Sequence, residues 1–334
     1  MSRAAASCIP IISLAGARAG DMGSAAGMIG NAFAETGFCY LADHGVSDQL
    51  IEEVVEQSRR FFRLPLDVKE RCAPRELVRG YNRMGRTVMR GARHPDLKEY
   101  FQIGLELPPD DPARLAGQPM RGANQWPESP PGLRIALERY FDEVSSCAEV
   151  LLQLVALSLG AGQDFFRPRY GKRLQRTQVI YYPHDPSSGD DELFGVAPHT
   201  DYGCVTLLWQ DDAGGLEVRT RGGEWIGAPP VGGTLLVNIG DLLQRWSNDR
   251  FASNLHRVRN RSGRERLSIA TFYDPDYSAL VDPRELGLPK GQPSAYPPVL
   301  AGDYIIGRIS ASLDERSGDP GQPDLPGPGN GRRG

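Results

Sequence analysis

The residues able to do chemistry are few, and they are far apart in the chain. His199 and Asp201 stand two positions apart in Pro198-His199-Thr200-Asp201-Tyr202-Gly203. In an extended strand, side chains at i and i+2 lie on one face. One imidazole nitrogen and one carboxylate oxygen would therefore point at a single place. His256 lies well downstream in Leu255-His256-Arg257-Val258, a second strand-like run that could bring another imidazole. Two histidines and one carboxylate on one face of a metal, with the opposite face open, form the donor set that suits divalent iron in oxygen chemistry. A lone His-x-Asp is weak by itself, since a histidine hydrogen-bonded to a nearby carboxylate explains it equally well.

Three further residues strengthen the metal reading. Arg266 and Ser268 follow His256 on the next strand-like run, again two apart and so on one face. Tyr182 lies in a strand just upstream of His199. A guanidinium holds a carboxylate through two parallel hydrogen bonds, and two hydroxyls can add one each. The pattern describes a metal with an anion-binding wall behind it.

The elements that must position these residues fall into two halves. The first half reads as mainly helical, with short strands at 9–14 and 38–41. Helices are expected over 21–36, with Asp21 as cap and Gly37 as stop, and from Ser47 through Phe62, where apolar residues recur at helical spacing. A strand is expected over 96–104 and a long amphipathic helix over 132–159. After Arg173 the period changes to two. Strands are expected at 178–182, 195–199, 205–209, 216–219, 224–228, 234–238, 243–246, 256–259 and 267–273, and glycine-rich turns separate most of them. Many short, closely spaced strands indicate a sandwich or jelly roll. A closing helix is expected over 303–312.

The fold class is thus α+β, mainly β: a distorted jelly roll flanked by helices from the N-terminal half. Residues 1–120 form an N-terminal helical and strand region packing on the core, 121–316 the jelly-roll core and 317–334 a disordered tail. All of this is expected to make one compact unit. Composition is ordinary for a globular protein, with 334 residues, 40% apolar and 24% charged. A net charge of −4 exerts no global pull toward nucleic acid or an anionic membrane. No apolar run approaches the ~20 residues of a bilayer-spanning helix. The five cysteines (Cys8, Cys39, Cys72, Cys147 and Cys204) are widely spaced without a CxxC, which fits a reducing cytoplasm rather than a disulfide framework.

Taken together, the chain resembles the isopenicillin-N-synthase-like branch of the Fe(II)/2-oxoglutarate-dependent oxygenases. The resemblance covers nearly the whole chain. It runs from Ile9-Pro10-Ile11-Ile12 and Gly37-Phe38-Cys39-Tyr40-Leu41-Ala42-Asp43-His44-Gly45-Val46 through Asp96-Leu97-Lys98-Glu99 and Tyr181-Tyr182-Pro183. It continues in His199-Thr200-Asp201-Tyr202-Gly203, Gly215-Leu216-Glu217-Val218 and Asn238-Ile239-Gly240-Asp241, and ends in Leu255-His256-Arg257-Val258 and Arg266-Leu267-Ser268. It implies a double-stranded β-helix with Fe(II) held by His199, Asp201 and His256. The distal carboxylate of 2-oxoglutarate would lie on Arg266 and Ser268, with Tyr182 as a further donor and O2 as co-reactant. It also implies oxidative decarboxylation to succinate and CO2, coupled to hydroxylation, desaturation or cyclisation of a small molecule, as in specialised-metabolite or antibiotic biosynthesis. One position departs from the family: relatives often carry Asn where this chain has Ile180.

Phe272, Tyr100 and Gln102 match substrate-lining positions, and Tyr81 and Arg83 are candidates from a loop near the mouth. The cluster Arg79, Arg83, Arg86, Arg90 and Arg93 reads first as a solvated face. A turn role is expected for His44 and Asp241, and exposed loop positions for His94 and His184. Two alternatives stay open at this point. One is an Fe(II) oxidase of the isopenicillin N synthase type that needs no 2-oxo acid. The other is a non-catalytic jelly-roll binding protein. A small-molecule partner is expected, with no nucleic acid and no membrane. The oligomeric state is not legible, with a monomer favoured.

Overall fold

A computed structural model of the chain describes residues 9–75, 79–86, 94–184, 193–288 and 291–314. The expected tail from 317, with Arg90, Arg93 and Cys8, lies outside them. Twelve strands build two sheets: β1 (Ile11–Ser13), β2 (Phe38–Ala42), β3 (Gly80–Asn82), β4 (Glu99–Gly104), β5 (Arg176–Tyr182), β6 (Val196–His199), β7 (Val205–Gln210), β8 (Leu216–Arg219), β9 (Trp225–Gly227), β10 (Thr234–Ile239), β11 (His256–Val258) and β12 (Arg266–Tyr273). The larger sheet has eight strands in the order β1-β2-β10-β7-β12-β5-β4-β3, and the smaller has four in the order β6-β11-β8-β9. Only β1 and β2 run parallel; the other pairs in these sheets are antiparallel. The two sheets pack against each other as the expected distorted jelly roll.

The two faces of the large sheet do different work, as period two requires. One face carries Phe101, Ile103, Val179, Leu207, Val237 and Ile269 into the main apolar core, against helices Gly23–Glu35, Asp48–Phe62 and Gly132–Ser158. The helix Asp48–Phe62 buries Leu50, Ile51, Val54, Val55, Phe61 and Phe62 as one stripe and is capped by Ser47, whose hydroxyl accepts the Leu50 N–H. The other face carries Tyr100, Ile180, Tyr182, Leu236 and Ala270 toward the small sheet, which returns Val196, Leu216, Val218 and Val258. The site lies between the sheets.

Three expectations change. Residues 243–246 are not a strand but part of the helix Asp241–Trp246; Leu242, Leu243 and Trp246 are its buried residues, and their spacing is helical rather than alternating. Asp21 does not cap its helix, which begins at Gly23 with Met22 in the cap position and no side-chain cap. Arg79 is buried rather than solvated: it donates to the Leu105 and Met120 carbonyls at 2.8 and 2.7 Å and ties the segment before β3 to the loop after β4. No helix among the described residues is long and apolar enough to cross a membrane.

Candidate metal centre and cosubstrate pocket

His199 ends β6 and His256 begins β11, and the two are direct antiparallel partners. That register sets their rings 4.2 Å apart, centroid to centroid. Asp201 sits in the turn just past β6, with its Oδ1 3.8 Å from Nε2 of each histidine. One ligand atom from each of the three lies within 4.8 Å of the others, close enough to share one ion. The remaining polar atoms are already engaged. His199 Nδ1 faces the Ala197 carbonyl at 2.8 Å and His256 Nδ1 faces that of Asn254 at 3.4 Å, so both Nε2 atoms are directed inward. Asp201 Oδ2 accepts from Thr206 Oγ1 at 2.6 Å and Asn238 Nδ2 at 2.7 Å, which leaves Oδ1 for a metal.

Electrostatics keep the donors in their ligating forms. Burial, with the second imidazole beside it, pushes His199 down to about 3, so the ring stays neutral. Burial works against the Asp201 charge, but the two imidazoles and the bonds from Asn238 and Thr206 outweigh it and hold the carboxyl below its ordinary value.

Backbone packing fixes the Asp201 turn. The Asp241 and Leu242 amides donate to the Asp201 and Gly203 carbonyls at 2.8 and 3.0 Å. Gly203 and Gly240 permit this approach. A Cβ on Gly203 would lie 1.7 Å from Asp274 Oδ1, and one on Gly240 would lie 2.3 Å from the Gly203 carbonyl. Asp241 itself accepts from Thr200 and Ser253 and pairs with Arg308, a turn role away from the ligand triangle. His44 also serves a turn: its Nδ1 accepts the Val46 N–H at 3.1 Å, between Asp43 and Gly45 at positive φ.

A cavity of about 170 Å³ opens from the triangle. Strand register sets its long wall in rows. Tyr182 faces Arg266; next come Tyr100, Ile180 and Ser268; then Gln102, Gln178, Ala270 and Leu208; then Arg176, Phe272, Thr206, Asn238 and Phe38. Arg266 is fully buried without a carboxylate partner among the described residues. It donates to the Gly214 carbonyl at 2.7 Å, Ser268 Oγ at 3.0 Å and Gln210 Oε1 at 3.2 Å, and it lies 4.6 Å over the Tyr182 ring. Lys98 also lines the cavity; burial opposes its charge, but Asp96 at 3.1 Å more than offsets that and keeps it above the usual lysine value.

The structure therefore gathers His199, Asp201, His256, Arg266, Ser268, Tyr182, Phe272, Tyr100 and Gln102 around one cavity. Tyr81 and Arg83 are not among its lining. Tyr81 pairs with Phe101 and so takes the helix-facing side of the sheet, where it donates to Glu99 and packs on Phe61. Arg83 is exposed and reaches Glu70 at 3.7 Å. Residues not anticipated are Lys98, Arg176, Gln178, Thr206 and Asn238. Period two from Tyr100 and Tyr182 would have flagged the first three.

The chain is similar to known proteins in sequence and in fold. A model for the non-haem dioxygenase N-terminal region, named for morphine synthesis, matches residues 9–129, and the 2OG-Fe(II) oxygenase superfamily model matches residues 174–275. Homoarginine-6-hydroxylase 2-ODD-233 of Oryza sativa subsp. japonica is 35% identical, over 84% of this chain and 87% of its own. The chain belongs to the 2OG-Fe(II) oxygenase superfamily. The 2-oxoglutarate-Fe(II) type oxidoreductase hxnY of Emericella nidulans is likewise 35% identical, over 83% of this chain and 81% of its own. Among solved structures, a full-length Neurospora crassa protein in complex with alpha-KG and thymine superposes with a TM-score of 0.80 at 27% identity, covering 91% of this chain and 96% of that one. This oxygenase is thus an enzyme of the hydroxylase type, with Fe(II) as cofactor and 2-oxoglutarate as cosubstrate.

Proposed function

We propose that this oxygenase hydroxylates an uncharged small molecule, with succinate and CO2 as coproducts, at a ferrous ion on His199, Asp201 and His256. The observation that carries the cosubstrate assignment is Arg266, a buried guanidinium without a carboxylate partner among the described residues, at the far end of the cavity that the triangle opens into. An unpaired buried cation is costly, and a dicarboxylate that reaches it removes that cost. Ser268 Oγ stands beside it as a further donor.

Bound there, iron and 2-oxoglutarate would supply the oxidising power for hydroxylation by O2, with succinate and CO2 as coproducts. The chain's own residues orient and exclude. Thr206 and Asn238 fix the Asp201 carboxylate, the Ala197 and Asn254 carbonyls fix the imidazoles, and Arg266 fixes the cosubstrate's outer carboxylate. Ile180, Leu208, Leu216, Val258 and Ala270 keep the chamber walls apolar. Phe38 packs its ring edge-on to His256 at 5.9 Å.

The substrate's charge follows from the walls. Among the described lining residues Lys98, Arg176 and Arg266 are cationic and Asp201 is the one carboxylate. A guanidinium such as that of homoarginine, the substrate in the rice relative's name, would find no carboxylate there apart from the metal ligand.

The test is 2-oxoglutarate binding and turnover. Wild type should bind 2-oxoglutarate and release succinate with Fe(II) and O2. Arg266→Ala should lose on the order of 100-fold in 2-oxoglutarate affinity, the scale for removing one partner of a buried charge pair, while still binding metal. Oxygen uptake with substrate but without 2-oxoglutarate would instead identify an oxidase that needs no 2-oxo acid.

A further inference from the structure

We infer that the substrate end of the cavity recognises a cis-amide, that is, a lactam or cyclic imide docked on the Gln102–Gln178 pair. The inference rests on the oxygenase reading above and adds the substrate's chemical class.

Gln102 and Gln178 are direct partners across β4 and β5, and both line the cavity. Gln178 Nε2 donates to Gln102 Oε1 at 2.6 Å. Gln102 is fully buried, and its Nε2 has no hydrogen-bond partner among the described residues. A buried amide N–H left unpaired is destabilising, so a ligand acceptor has a ready place. One hydrogen bond between two carboxamides consumes one N–H donor and one C=O acceptor. It leaves the other amide's amine and the other carbonyl uncommitted by that bond, whichever way the two amides are turned. The pair therefore offers a donor and an acceptor side by side, and a cis-amide presents the matching acceptor and donor. A carboxylate would set an oxygen against the free carbonyl, and a guanidinium would set an N–H against the free amine.

The neighbouring row supports an uncharged ligand. Arg176 lies two residues from Gln178, about 7 Å along the strand. Its charge faces the buried Asp274 at 3.0 Å, and its guanidinium covers the Phe272 ring at 4.6 Å. Arg176 Nε is buried without a hydrogen-bond partner among the described residues and can take a second carbonyl or a hydroxyl of the same molecule. Lys98, the other nearby cation, is matched by Asp96.

The test uses the full chain loaded with zinc(II) and 2-oxoglutarate, so that binding is read by calorimetry without turnover. The probes are glutarimide, δ-valerolactam and uracil, their N-methyl analogues, cyclohexanecarboxylate and cyclohexylguanidine. At least one N–H cyclic amide should bind, and N-methylation should weaken it about tenfold or more, as loss of a matched hydrogen bond requires. Gln178→Leu and Gln102→Leu should remove that discrimination and leave 2-oxoglutarate affinity unchanged. The wild-type comparison needs no variant and so stands even if Gln102→Leu does not fold. The inference is overturned if no cyclic amide binds, if N-methylation has no effect, or if the carboxylate or guanidine binds more tightly. Loss of 2-oxoglutarate binding in the wild-type samples would instead sink the oxygenase assignment of the pocket.

Discussion

Asp201 can serve a metal only if its carboxylate is held still, and two neutral donors do the holding. Thr206 Oγ1 and Asn238 Nδ2 both reach Oδ2, at 2.6 and 2.7 Å, and all three residues are buried. Thr206→Val removes one donor at nearly constant volume, and Asn238→Leu removes the other. A hydrogen bond to a charged group contributes about 1.5–3 kcal/mol. Part of that loss is offset, because a carboxylate with fewer donors is a more basic ligand. Each variant should still lose on the order of 10- to 100-fold in metal affinity, the usual cost of removing an orienting partner. The double variant should lose less than the product of the two, since both act on one oxygen. Both bonds also hold the Asp201 carboxyl low, so the loss should grow as the pH falls. The assay is calorimetric titration with zinc(II) or manganese(II), with melting curves to confirm that each variant is folded. Folded single variants that bind metal within about twofold of wild type would refute the reasoning, because Asp201 would then be oriented by its backbone turn alone.

Other outcomes follow from the same geometry. Gly203→Ala places a Cβ 1.7 Å from Asp274 Oδ1; it should lower the melting temperature sharply, at a cost of about 1–3 kcal/mol or more, and chelation should shift the melt of the variant less than that of wild type. Removing metal from wild type should lower its melting temperature, and zinc(II) at about 100 times its Kd should restore about 2.7 kcal/mol; His256→Ala should show no such response. Burial lowers the His44 pKa below 6.5, so its contribution to stability is present above that value and fades as pH falls toward the depressed one. Denaturant titrations between about pH 7.5 and about pH 5.5 should therefore show wild type losing more stability than His44→Gln.

Much of the site is legible in the sequence because a strand's period is two. His199 with Asp201, and Arg266 with Ser268, are same-face pairs in any register, and the tertiary structure has only to bring those faces together. Tyr81 shows the limit. Its place in the chain fits a loop near the mouth, but pairing with Phe101 turns it to the helix side, and only the register decides that. Thr206 and Asn238 are out of reach for a related reason: each is an ordinary strand residue until β7 and β10 are paired and set beside the Asp201 turn. Residues 243–246 mislead through their length, since four residues cannot distinguish a strand from one helical turn when the flanking signal is a single aspartate. Arg79 misleads because a charged residue in a glycine-rich run looks solvated until carbonyls are found converging on it.

The order of strands in the large sheet divides labour in a way that bears on how this enzyme could diversify. Arg266 and Ser268 ride on β12, whereas Tyr100 and Gln102 ride on β4, separated from it by β5. On the reading proposed above, the cosubstrate's anchor and the amide-recognising pair thus sit on different strands, with Phe272 on β12 bridging the two. Paired changes at Gln102 and Gln178 could redirect which compound is attacked while Arg266, Ser268 and the ligand triangle stay intact, so that pair is the economical place to seek a new specificity.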